Sequence, residues 1–148
     1  MFFVTLILII SVQSFDCELT PHQIKQECEK HCEGKNEYAT RYCGGLCSGT
    51  TGAQTFYCYL ACSHNASTQG DFDECIKKCN DGSGLGEGSC MSDCGAVTNH
   101  EEVCETACGG NNGGLFPLCL YNCDQAHPNG YEGGFDDCKT KCYGMNER

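Results

Sequence analysis

Apolar positions follow two patterns along this 148-residue chain. The first is a run over residues 2–10, apolar but for Thr5, followed by Val12-Gln13-Ser14 with its short side chains at the end. Residues 1–14 therefore read as a secretory signal peptide. The run is too short to cross a bilayer, which takes about 20 apolar residues, and no later stretch approaches that length. A mature chain that is soluble and secreted is expected, with no membrane insertion.

The second pattern is a pair of cysteines four residues apart. It occurs eight times, at 28/32, 43/47, 58/62, 75/79, 90/94, 104/108, 119/123 and 138/142. Residues i and i+4 share one face of an α-helix, so each step presents two parallel thiols to a partner helix rather than to each other. Successive steps are separated by 9 to 14 residues, room for a helix of about ten residues and a tight turn. Local signals agree with helices. Thr20-Pro21-His22-Gln23 reads as an N-cap, a first-turn proline and a capping-box Gln, after which Ile24, Cys28 and Cys32 share a face and Gly34 ends the helix. Asp71 with Glu74 and Thr98 with Glu101 read as two more capping boxes, and Pro117 as a first-turn proline before Cys119.

A longer repeat contains the steps. A shift of about 61 residues lays Cys43, Cys47, Cys58 and Cys62 on Cys104, Cys108, Cys119 and Cys123, and Gly49 and Gly52 on Gly110 and Gly113. Two residues further along, the segment 70–75 parallels 133–138. The organisation expected is a signal at 1–14, an N-terminal segment and helix start at 15–27, a four-step unit at 28–79, a Gly-rich linker at 80–89, a second unit at 90–142 and a tail at 143–148. Glycine suggests which steps pair. The connections 48–57, 80–89 and 109–118 hold 2, 4 and 4 glycines, against 1, 1, 1 and 3 in 33–42, 63–74, 95–103 and 124–137. Flexible links belong between stapled units, which makes four hairpins: 28–47, 58–79, 90–108 and 119–142. In an antiparallel pair the first cysteine faces the fourth and the second the third. The expected bonds are Cys28 to Cys47, Cys32 to Cys43, Cys58 to Cys79, Cys62 to Cys75, Cys90 to Cys108, Cys94 to Cys104, Cys119 to Cys142 and Cys123 to Cys138. The opposite phase, with glycines at the hairpin tips, remains open because spacing does not fix connectivity; it would strand the first and last steps.

Composition explains why bridges are needed. All 17 cysteines follow the signal, whereas Val, Ile, Leu, Met and Phe after residue 14 number only 18 and Trp is absent. At about 1.5–3 kcal/mol each, those side chains cannot offset an ordering entropy of about 1–2 kcal/mol per residue. Disulfides at about 2–4 kcal/mol apiece are of the right order to make up the difference. The class expected is all-α: a small disulfide-rich, tandem array of stapled helical hairpins. The net charge of −11 repels phosphate backbones and anionic lipid, which argues against nucleic-acid partners. It would attract a basic partner and also serves plain solubility.

Paired C-x-x-x-C steps about ten residues apart resemble the cysteine-stabilised helical hairpins of the plant hairpinins and of certain scorpion toxins that block potassium channels. The likeness covers the cysteine frame from 28 to 142. It implies a secreted, stapled helical fold and a toxin-like or defence-like role. Some hairpinins inhibit trypsin through an Arg between the steps; Arg41 lies in the first such stretch but abuts Cys43, as a solvated or capping residue would.

Chemistry is sparse. His100-Glu101-Glu102 fails as a zinc-protease motif because Cys104 stands where the second His belongs. No G-x-S-x-G is present, and the glycines at 84, 86 and 88 have no preceding strand and no following Lys, so they read as linker. Asp71-Phe72-Asp73 opens like a calcium loop, but Ile76 occupies the position that needs Gly. Zinc would have to use the thiols assigned to bridges, and an oxidising compartment favours the bridges. No catalytic residue, metal or cofactor is expected. Asn65-Ala66-Ser67 is a glycosylation sequon. Cys17 has no step partner, so it can pair internally, join a partner protein, join two copies in a disulfide-linked homodimer or stay unpaired as a reactive thiol. The function expected is that of a non-enzymatic binding or effector protein of the toxin, defence or signalling sort, acting on an extracellular protein target. The alternative is a structural matrix or coat component.

Overall fold

The fold follows from how each cysteine step obtains its helix and what that helix then covers. In the computed structural model, which describes residues 20–33, 37–109, 113–129 and 133–146, the described residues form nine helices and no strand. These are α1 (Pro21–Glu33), α2 (Glu37–Thr40), α3 (Cys43–Leu46), α4 (Ala53–Asn65), α5 (Gln69–Asp81), α6 (Glu87–Val97), α7 (Glu101–Cys108), α8 (Phe116–Ala126) and α9 (Gly134–Asn146). None of them is long and apolar enough to cross a membrane. Residues 1–14, expected to be a signal, and Cys17 lie outside the described residues.

Helix α1 starts on a reciprocal cap. The Gln23 amide donates to Thr20 Oγ1 at 3.3 Å and the Thr20 amide donates to Gln23 Oε1 at 3.0 Å. Two other expected starts move. Helix α5 is capped by Thr68, whose hydroxyl accepts from the Asp71 amide at 3.2 Å, so Asp71 lies inside the first turn. Thr98 does not cap α7. It donates to the Cys94 carbonyl at 2.7 Å and so closes α6, and α7 begins after His100. The reason in both cases is competition among Ser, Thr and Asp for nearby backbone groups, which spacing alone does not rank. Pro117 sits at the second position of α8 rather than the first.

Sulfur atoms lie at bonding distance in eight pairs. The first hairpin joins Cys28 to Cys47 and Cys32 to Cys43, and the second Cys58 to Cys79 and Cys62 to Cys75. The third joins Cys90 to Cys108 and Cys94 to Cys104, and the fourth Cys119 to Cys142 and Cys123 to Cys138. Cα atoms across these bridges are 5.5–5.9 Å apart, the ordinary span of a disulfide. The first hairpin departs from two full helices: its second arm is a pair of single turns, α2 and α3. The break falls at Arg41 and Tyr42; Gly44 and Gly45 lie within α3, which they weaken, since each glycine in a helix interior costs about 1 kcal/mol relative to alanine. The arm is held from outside, where Tyr38 stacks on Phe72 of α5 at 5.5 Å and Tyr42 packs on the same ring at 5.4 Å.

The hairpins interlock across the sequence repeat. Helix α4 packs on α6, and α8 packs on α1. Under the repeat shift α4 corresponds to α8 and α1 to α6, so the first helix of each unit lies against the third-step helix of the other. One core cluster therefore draws on both units, with Ile24, Phe56, Tyr57, Val103, Leu118 and Leu120 all buried in it. Helices α4 and α8 are apolar nearly all round because they are the two enclosed members. Gly49, at φ 81°, marks a close approach between the first and last hairpins. A Cβ there would come within 2.9 Å of Leu115 Cδ2.

Candidate functional site

The buried polar chemistry of the chain converges on Asp124. It follows Cys123 on α8, one residue past the thiol that staples α8 to α9, and its side chain is fully enclosed. A carboxylate in that position must be paired. Its Oδ1 accepts from the Asn99 amide at 2.8 Å, the His100 amide at 3.0 Å and His100 Nδ1 at 2.7 Å. Its Oδ2 accepts from Gln125 Nε2 at 2.9 Å and Asn99 Nδ2 at 3.4 Å. The carboxylate thus captures the turn between α6 and α7 and fixes it to α8. The Nδ1 bond places the proton of a neutral His100 on Nδ1. The imidazole lies flat on Phe135, with centroids 3.8 Å apart and planes 7° apart, and Nε2 has no hydrogen-bond partner among the described residues. An imidazole so enclosed holds the turn in place; it is not presented to a substrate.

Two tyrosines share this environment. Burial, then the Asp124 charge, pushes the Tyr57 and Tyr121 phenols well above the ordinary range, so both remain neutral.

In front of the carboxylate lies a groove of about 330 Å³. Helix α4 supplies Leu60, Ser63 and His64, the segment 96–99 a second wall, and α8 Tyr121 and Gln125. The stapling of α4 to α5 and of α8 to α9 makes both helical walls rigid. Gln125 Nε2 is used twice, donating to Asp124 Oδ2 and to the Val97 carbonyl at 3.3 Å, while Asn99 Nδ2 donates once, to Asp124 Oδ2, so the side-chain amides that line the groove are both held by the carboxylate. The groove is part apolar floor and part amide rim, backed by a buried acid.

The residues singled out from sequence are spread over the molecule. Fourteen of the sixteen bridged cysteines are buried, and Cys75 and Cys138 are half-buried. Asn65 is exposed as the last residue of α4, and Ala66 after it is extended at φ −70° and ψ 130°, so the sequon leaves the helix at once. Arg41 is exposed between α2 and α3. His64 reaches the groove, whereas His22 and His127 do not line it. Asp124, Asn99 and Gln125 were not foreseen from spacing. A signal did exist: α8 is the most apolar stretch after the leader, and an acid among its buried positions has to be paired. The corresponding residue in the first repeat is Ser63, which donates to the Tyr59 carbonyl at 3.1 Å, so the repeat itself does not predict a carboxylate here.

No protein-family model, curated protein or solved structure compared with this chain matches it.

Proposed function

We propose that this is a secreted, non-enzymatic binding or effector protein that takes a basic side chain of an extracellular protein partner into the groove between α4, α6 and α8. The groove's chemistry carries the reading. The amides of Asn99 and Gln125, both held by a buried carboxylate, line the groove beside Tyr121 in a chain with a net charge of −11. An ammonium or guanidinium head with an alkyl stem complements all three features. The net charge speeds the encounter with such a partner and makes it sensitive to salt. The likeness of the cysteine frame to hairpinins and scorpion toxins supports a toxin-like or defence-like setting. Numerous bridges agree with an oxidising, extracellular location.

The test uses the oxidised mature protein, labelled and applied to tissue of its source. Saturable surface binding that weakens as salt rises is the expected result. Ala96→Trp, placed on the exposed rim, should fill the groove and reduce that binding at least tenfold without changing the fold. Equal binding by wild type and Ala96→Trp would show that the groove is not the recognition surface.

One observation favours a second reading, a cross-linked matrix or coat component. Sixteen cysteines are bridged among themselves, which leaves Cys17 to find a partner in another chain. On a non-reducing gel the wild type should then run as a disulfide-linked dimer and Cys17→Ser as a monomer. A wild type that runs as a monomer and has no titratable thiol refutes that link. Asn65, exposed at a helix end, is the proposed glycan site.

A further inference from the structure

Of the sixteen bridged cysteines, two reach the surface. Cys75 and Cys138 are half-buried, each the third cysteine of its hairpin, whereas the third cysteines of the other two hairpins, Cys43 and Cys104, are enclosed at 0 and 1 % exposure. The difference follows from packing, since Cys75 and Cys138 lie on α5 and α9, outer helices that rest mainly on one neighbour each, α4 and α8. Both half-buried cysteines are bonded to enclosed ones, Cys62 and Cys123. Each of those inner sulfurs stands beside a second bridge. Cys62 Sγ lies 3.6 Å from Cys79 Sγ, and Cys123 Sγ lies 3.5 Å from Cys142 Sγ. Cys79 is in turn bonded to Cys58, and Cys142 to Cys119. The same succession of four sulfurs, starting at the surface and running inward, therefore stands at corresponding places in the two halves of the sequence repeat.

A disulfide opens when a thiolate attacks one sulfur and expels the other, and the rate depends on access to the attacked sulfur and on how well the other leaves. Access selects Cys75 and Cys138. The sulfur expelled is then that of Cys62 or Cys123, and a thiolate enclosed in apolar surroundings is disfavoured. The adjoining bridge removes this obstacle. The expelled sulfur, free to rotate about its Cα–Cβ bond, has Cys79 or Cys142 at contact distance and passes its charge on by bonding to it. In the second hairpin the charge arrives at Cys58, whose Sγ lies 3.9 Å from the Gly84 carbonyl, an acceptor for its S–H once a proton returns.

We propose that Cys75 and Cys138 are thiol-acceptor sites, at which a low-molecular-weight thiol of the glutathione class is held as a mixed disulfide while the chain stays folded. In the second hairpin the incoming thiolate bonds to Cys75 Sγ as the Cys62–Cys75 bond breaks. Cys62 Sγ then bonds to Cys79 Sγ as the Cys58–Cys79 bond breaks, and the proton lost by the incoming thiol ends on Cys58. Two S–S bonds break and two form, one thiol enters and one thiol results, and no oxidant or reductant is consumed. The fourth hairpin follows the same course through Cys138, Cys123, Cys142 and Cys119. Each of these hairpins keeps one internal bridge, Cys62 to Cys79 or Cys123 to Cys142, and the first and third hairpins keep both of theirs.

The test uses the full mature chain, oxidised and carrying Cys17→Ser, so that the added thiol is the first one present. The protein is incubated with reduced glutathione, quenched at successive times with N-ethylmaleimide and mapped by mass spectrometry of unreduced peptides. The first two glutathiones per chain are expected on Cys75 and Cys138, at least about tenfold ahead of every other cysteine. The maleimide label is expected on Cys58 and Cys119, with helical circular dichroism unchanged. No adduct, glutathione spread evenly over the four hairpins, maleimide on Cys62 and Cys123 in place of Cys58 and Cys119, or ellipticity lost in step with the first two adducts would each overturn the proposal.

Discussion

Reduction of the eight bridges in the presence of a chelator is expected to abolish most of the helical far-UV circular dichroism of the mature protein. The helices run from 4 to 13 residues. Isolated helices shorter than about 12–15 residues are marginal in water even with favourable sequences. Tertiary packing would normally compensate, but here cysteines themselves occupy a large share of the core, among them Cys28, Cys32, Cys94, Cys123 and Cys142 at essentially zero exposure. The bridges close loops of 10 to 23 residues, a range in which each contributes about 2–4 kcal/mol by restricting the unfolded chain. Their contributions overlap, because the two bridges of one hairpin restrain the same loop, yet even half their sum, about 8–16 kcal/mol, is comparable to the whole stability of an ordinary domain, about 5–15 kcal/mol. The chelator removes adventitious metal, which free thiols would otherwise capture. A reduced chain that kept its ellipticity would mean that the apolar contacts suffice alone, and this account of the fold would fail.

The second large effect is expected at Asp124. Replacement by alanine leaves two backbone amides, those of Asn99 and His100, and the His100 Nδ1 proton without their acceptor in a site closed to solvent. Each buried donor left without an acceptor costs about 1–3 kcal/mol, so the loss of all three should cost at least about 3 kcal/mol. Asp124→Asn keeps the shape and one acceptor oxygen, so its cost should be smaller, about 1–3 kcal/mol. Guanidinium unfolding of the oxidised proteins measures both. The midpoint should fall in the order wild type, Asp124→Asn, Asp124→Ala with an unchanged denaturant slope. Equal midpoints for all three would mean that the bridges alone hold the turn between α6 and α7. Because Asn99 and Gln125 are oriented by the same carboxylate, partner binding in the groove should weaken in the same order.

The contrast between these two predictions separates local from distant information. Cys28 and Cys32, or Cys119 and Cys123, declare a helical face by their spacing, since four residues make one turn and a bit more, and no knowledge of the rest of the chain is needed. The Thr20 and Gln23 cap is equally local. Helix starts farther along were less legible. Thr68 and Asp71 compete for one cap, and Thr98 turns back to Cys94 instead of forward, because side chains of this kind have several backbone partners within reach. The interrupted second arm of the first hairpin was not foreseen from spacing, and Tyr38 and Tyr42 hold it through Phe72, about 30 residues away.

The sequence by itself determined that this protein is helical and stapled, because an i, i+4 thiol pair has one geometric meaning and because 18 large apolar side chains cannot order so long a chain. Only the tertiary structure decided that α4 lies on α6 and α8 on α1, and that Asp124 reaches His100 across 24 residues. The physical reason is the range of the interactions. Period and capping report on neighbours within a turn or two, whereas the groove and the buried carboxylate depend on distances between helices, which are set by how complete surfaces pack and not by any spacing along the chain.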